Sequence, residues 1–168
     1  MSKITHAPPG YLCPFCVVLA GQQRELVWSV PSDIVYRDEV VAALIAAGGS
    51  PNNPGHVLVI PVAHFENLYE LLEREGAAMF RLTRAVARAM RAFTGCTGVS
   101  TRQHNEPHGN QDVWHVHTHV FPRFENDHLY AQPHVRNTPD DRKVHADRLR
   151  LYLEAHPEVF ADPVRATL

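Results

Sequence analysis

The sequence predicts an α+β protein with a mainly antiparallel sheet of about five strands, one long helix and a C-terminal helix. Three observations carry this. Short β-branched runs are bounded by breakers, as in "HVLVIP" (56–61). One central stretch, 75–94, has helical periodicity. The order reads β-β-β-α-β-β, with helices outside the strand runs.

Residues 1–12 read as a loose arm punctuated by Pro8, Pro9 and Gly10. "IVYRDEVVAALI" (34–45) reads as two short strands turning at Arg37, Asp38 and Glu39, although 40–45 also fits a helical turn. "GGSPNNPG" (48–55) is a breaker cluster, hence a loop, and 56–61 is a buried strand ended by Pro61. Asn67 opens the helical region. Met79, Leu82, Val86, Met90 and Phe93 step by three and four and share one helix face, with Gly95 as the C-terminal stop. Residues 98–105 read as a strand, "EPHGN" as a turn, and 112–123 as one long strand. Residues 124–141 are polar and contain prolines, which predicts loop; 141–156 is a terminal helix stopped by Pro157.

A chain of 168 residues with 45 % apolar and 20 % charged residues is one domain able to bury a core. A net charge of −2 supplies no basic field for nucleic acid. No apolar run reaches membrane-spanning length, no secretory leader is visible, and three cysteines do not make a disulfide framework, so a cytoplasmic protein is expected.

"DVWHVHTHVFPRF" (112–124) carries the chemistry. On a continuous strand His115, His117, His119 and Phe121 share one face, with imidazoles roughly 7 Å apart, and Val116, Thr118 and Val120 share the other. Such a cluster is a surface accident, an all-histidine metal site, or a nucleophilic centre. In the last case a backbone carbonyl holds Nδ1–H and leaves a bare Nε2. Cys13 and Cys16, spaced C-x-x-C, are half a tetrahedral zinc site; a reduced structural pair or a redox pair fits as well, though no thioredoxin-like context follows.

Four segments together resemble the histidine-triad (HIT) superfamily: "HVHTHVF", "GHVLVIPVAHFENLYEL" (55–71), "NEPHGNQDVWH" (105–115) and "CPFC" (13–16). The last is similar to the family's bacterial zinc-binding branch. The resemblance covers about residues 11–125, leaving 126–168 as an extension of a single HIT-like domain over 1–168. It implies that His117 is the nucleophile on the α-phosphorus of a nucleoside ester, anhydride or phosphoramidate, forming a nucleotidyl-histidine that water resolves. It implies that His119 assists, that His56, Asn105, Gln111 and His119 bind the phosphate, and that no Mg²⁺ is required. It further implies a closed, structural zinc held by Cys13, Cys16, His64 and His115, and a homodimer. An alternative is a nucleotide-binding or signalling protein with weak or no turnover.

Two positions depart from the family pattern. Asp112 stands where many members have a phosphate-donating Ser or Thr, and Gly48 where Asp or Asn commonly grips the ribose. Asp112 either faces the phosphate and repels it or turns away to cap a turn, with the turn role favoured. Cys96 and Trp114 read as packing residues and Arg123 as a strand-end ion pair; Arg102 fits either direction. His104, His108, His134, His145 and His156 read as solvated.

Overall fold

Asp38 decides the open question in 34–45. Its carboxylate accepts from the amides of Val40 and Val41 at 2.7 and 2.8 Å, closing a tight turn between two strands. The computed structural model describes residues 4–162. In chain order the elements are α1 (Pro14–Leu19), β1 (Ile34–Arg37), β2 (Val41–Ile45), β3 (Gly48–Gly49), β4 (Val57–Pro61), α2 (Glu73–Phe93), β5 (Gly98–Gln103), β6 (Thr118–Arg123), β7 (Val135–Arg136) and α3 (Pro139–Ala155). The five-stranded sheet runs β1-β2-β4-β6-β5, with every neighbouring pair antiparallel.

Both faces of β2 and β4 are covered, so both strands are buried throughout. Val41, Ala43, Ile45, Val57 and Val59 face α2 and α3, meeting Leu82, Val86, Met90 and Leu149. The intervening Ala42, Leu44, Leu58 and Ile60 face the opposite way, against Cys13, Phe15 and Leu19 around α1. The predicted helix face is buried at Met79, Leu82, Val86 and Met90. Gly95 follows the helix at φ +76°, a left-handed stop that suits glycine. Arg84 and Arg88 lie half-buried and bind carbonyls of Val159, Phe160 and Ala161. Cys96 is buried, as expected.

Four expectations are corrected. The arm is not loose over 4–12. Thr5 and the amide of His6 bind the Glu66 carboxylate, Asn67 donates to the carbonyl of Ile4, and Trp114 packs its ring on His6; residues 1–3 lie outside the described residues. The long strand 112–123 is regular only from Thr118. Upstream, the His115 amide donates to the carbonyl of Val113 in a tight turn, and the Val116 amide is drawn to Phe65. Strict alternation therefore stops short of His115 and His117, and the rings of His117 and His119 stand 4.8 Å apart, closer than a flat strand gives. The loops at 48–55 and 124–141 are also more ordered than their breakers suggest. Gly48–Gly49 pairs with Val135–Arg136 as a two-stranded ribbon, and buried Asp127 binds both Arg123 and Asn53. That pairing is between distant segments, so no local pattern announces it. Finally, among the histidines expected to be solvated, His104, His145 and His156 are half-buried.

The C-terminal helix is fastened by Arg142, a fully buried guanidinium that the sequence reading passed over. It binds Asp33 at 2.9 Å and the carbonyls of Trp28 and Asn137. A buried cation is tolerated here because its donors meet a carboxylate and two carbonyls.

Candidate functional site

His117 is 2 % exposed, and its Nδ1 lies 2.8 Å from the carbonyl of His115. A carbonyl only accepts, so the proton sits on Nδ1 and Nε2 keeps its lone pair. Burial pushes the pKa of His117 down, and the weaker attraction of Asp112 opposes it. The ring lines a cleft and keeps an unprotonated Nε2. The edge of Phe15 packs on it at 5.3 Å, which fixes its plane.

His119 and His56 form a second unit. His56 Nδ1 lies 3.3 Å from the carbonyl of Gly48, and its Nε2 lies 3.0 Å from His119 Nδ1. If Nδ1–H of His56 meets that carbonyl, its Nε2 accepts from His119, and His119 Nε2 is left bare. Burial lowers both pKa values, that of His56 to about 3, so both rings are neutral in the free protein. Phe121 stacks on His56 at 3.9 Å, and Arg102 lies over the Phe121 ring.

The loop expected to bind phosphate holds its amides internally. Gln111 is buried, with Nε2 given to the carbonyls of Glu66 and Val113 and Oε1 accepting from the Glu106 amide. Asn105 binds Gln103 and the Leu68 amide. Both amides brace their own loop, in which Glu106 and Asn110 have positive φ. Neither side chain lines the cleft that holds His56, His117 and His119. Asp112 does line it, and its carboxylate accepts no hydrogen bond among the described residues, which corrects the turn-capping expectation. Two further histidines join the site. His104 sets its ring edge on His119 at 5.6 Å while its Nδ1 meets the carbonyl of Gly109, and His134 lines the cleft wall. The tight spacing of His104 and Asn105 to the triad was a usable signal for the first; nothing local marks the second.

Cys13, Cys16, His64 and His115 meet behind the cleft, with one donor atom from each all within 4.8 Å of one another. His115 is fully buried, and its Nε2 lies 3.0 Å from the carbonyl of Pro61. Its lone pair is therefore on Nδ1, which lies 3.4 and 3.7 Å from the two sulfurs. His64 Nδ1 lies 3.3 Å from Cys16. Neighbouring ligands of a tetrahedral zinc stand about 3.3–3.8 Å apart given ordinary bond lengths, so the donor set and its spacing fit the ion. Hydrogen bonding with Cys13, His115 and His64 draws the Cys16 thiol well below the usual thiol range and Cys13 above it. The cluster thus already favours one thiolate.

A family profile described as the HIT domain matches residues 28–126. Protein hit of Bacillus subtilis is 36 % identical over 112 residues, covering 67 % of this chain and 71 % of that protein. Purine nucleoside phosphoramidase of Escherichia coli is 30 % identical over 93 residues, covering 55 % of this chain and 76 % of the enzyme. A Zn-bound histidine triad family protein from Mycobacterium smegmatis superposes with a TM-score of 0.71 at 27 % identity, over 87 % of this chain and 96 % of that one. The chain belongs to the HIT family.

Proposed function

We propose that the protein is a nucleotide hydrolase or nucleotidyl transferase acting at the α-phosphate of a nucleoside phosphoramidate, ester or dinucleoside polyphosphate. The observation that carries this is the bare, cleft-facing Nε2 of His117, set by the 2.8 Å contact of its Nδ1 with the His115 carbonyl. Nε2 attacks phosphorus, the N–P bond forms, and the bond to the leaving group breaks with its electron pair. His119, protonated once an anionic substrate sits beside it, gives the leaving group its proton. Water then attacks the nucleotidyl-histidine, its proton returns to His119, and His117 is regenerated. Protonated His119 stabilises the charge on the phosphoryl oxygens, and His56 supports it by accepting from its Nδ1, so the reading requires no Mg²⁺. Asn105 and Gln111 act here as braces that shape the phosphate loop. The phosphoramidase of Escherichia coli favours the phosphoramidate as the first substrate to try.

Zinc has a structural role in this reading. Cys13, Cys16, His64 and His115 would hold it, and it would tie α1 to the segment that delivers His117. We also place a second copy of this chain on the free edge of β5, beside the exposed Phe80 of α2. The competing reading, nucleotide binding without turnover, draws on the unpaired Asp112 carboxylate in the cleft. Adenosine 5′-phosphoramidate decides between them: release of AMP supports the hydrolase, and binding without release supports the competitor.

A further inference from the structure

The chain beyond residue 126 lies outside the HIT-domain match, yet it contributes His134 to the lining of the cleft. β7 pairs with β3, Arg136 opposite Gly48 and Val135 opposite Gly49. This ribbon lays the His134 ring on Gly48: a Cβ added at Gly48 would stand 2.2 Å from His134 Cε1 and 2.8 Å from Nε2. The ribbon is anchored at the Trp28 loop. Arg136 stacks over the Trp28 ring at 4.9 Å, and buried Arg142 bridges the carbonyls of Trp28 and Asn137. The His134 ring itself makes no hydrogen bond among the described residues.

Apolar Leu26, Trp28, Ala46 and Ala47 line the cleft together with His56, His117 and His119. Gly48 follows Ala47 in the chain, and its carbonyl faces His56 at 3.3 Å. A nucleotide with phosphorus at His117 and its base against Ala46, Ala47 and Trp28 has its sugar beside Gly48. We infer that His134 recognises that sugar, binding a ribose hydroxyl through a ring nitrogen, and that Gly48 is free of a side chain because His134 fills its place. The inference rests on the nucleotide reading above and adds a recognition residue that the C-terminal extension contributes.

The test compares binding of AMP and 2′,3′-dideoxy-AMP by calorimetry. The parent protein is expected to prefer AMP. His134→Ala weakens AMP about five- to tenfold, the worth of one hydrogen bond, leaves dideoxy-AMP unchanged, and so erases the preference. Gly48→Ala, which drives the ring from its seat, has the same effect, and the double variant is no worse than either single one. A His134→Ala protein that keeps the parent's preference overturns this inference and leaves the nucleotide reading standing. A parent protein that binds neither nucleotide overturns both.

Discussion

His115 and His117 are two residues apart, both buried, and both have one ring nitrogen against a backbone carbonyl, yet they offer opposite nitrogens. In His115 the carbonyl of Pro61 takes Nε2, so Nδ1 faces the two cysteine sulfurs. In His117 the carbonyl of His115 takes Nδ1, so Nε2 is the bare nitrogen. The bonded carbonyl decides which nitrogen each ring offers; in the proposed reading one of them grips a metal and the other attacks phosphorus. The two regions also share a wall, because Phe15 of α1 packs its edge on both rings. The Cys13, Cys16, His64 and His115 cluster is thus built against the seat of the His117 ring.

The sharpest way to break this contrast is to remove each histidine in turn. His117→Ala is expected to lower kcat for adenosine 5′-phosphoramidate by about a thousandfold or more while zinc content and AMP affinity stay near those of the parent. His115→Ala is expected to lose the zinc and much of the stability. Metal analysis beside turnover checks the pair, and equal zinc loss in both variants would erase the contrast. Next in size is Cys13→Ser/Cys16→Ser. It should bind no zinc and unfold about ten degrees earlier, since a structural ion contributes directly to folding; a melt with and without chelator reads this.

A smaller effect separates the buried cleft from solvent. His56 has its pKa lowered to about 3, so between there and the ordinary value near 6.5 the unfolded chain binds a proton that the folded one does not. Stability therefore rises with pH through this window and is lost on acidification, by up to about 1.4 kcal/mol per pH unit for this one group. Thermal melts between pH 7 and 5 should show the loss, and His56→Asn should reduce it, leaving the share of His117 and His119. Smallest of all is Asp112→Ser. With the carboxylate facing the cleft, its removal should raise kcat/KM a few-fold at low salt, and the gain should fade at high salt. No change at either ionic strength would mean that Asp112 does not sense the phosphate.

Much of this was legible in the residues, for identifiable reasons. The breaker-bounded β-branched run at 57–61 and the 3.6-residue stripe from Met79 to Phe93 are local patterns and appear as read, whereas 41–45, left open between strand and helical turn, is a strand. The meeting of Cys13, Cys16, His64 and His115 came from family resemblance, since no spacing rule joins residues a hundred positions apart. What escaped was set by tertiary contact. The turn at Val113 to His115 breaks an alternation that looked continuous. Gln111 and Asn105 meet backbone groups that no sequence window contains. The β3–β7 ribbon pairs two breaker-rich segments, and only the fold brings His134 to Gly48.

The central claim is that the triad offers phosphorus a single nitrogen, Nε2 of His117. Protein mixed with adenosine 5′-phosphoramidate and quenched at alkaline pH, where an N–P bond survives, can be digested and the adenylylated peptide sequenced by mass spectrometry. Coupling between ³¹P and ¹⁵N in labelled protein then identifies the ring nitrogen. The account predicts one adduct, on His117, through Nε2. An adduct on His115 or His119, or one through Nδ1 of His117, would contradict it.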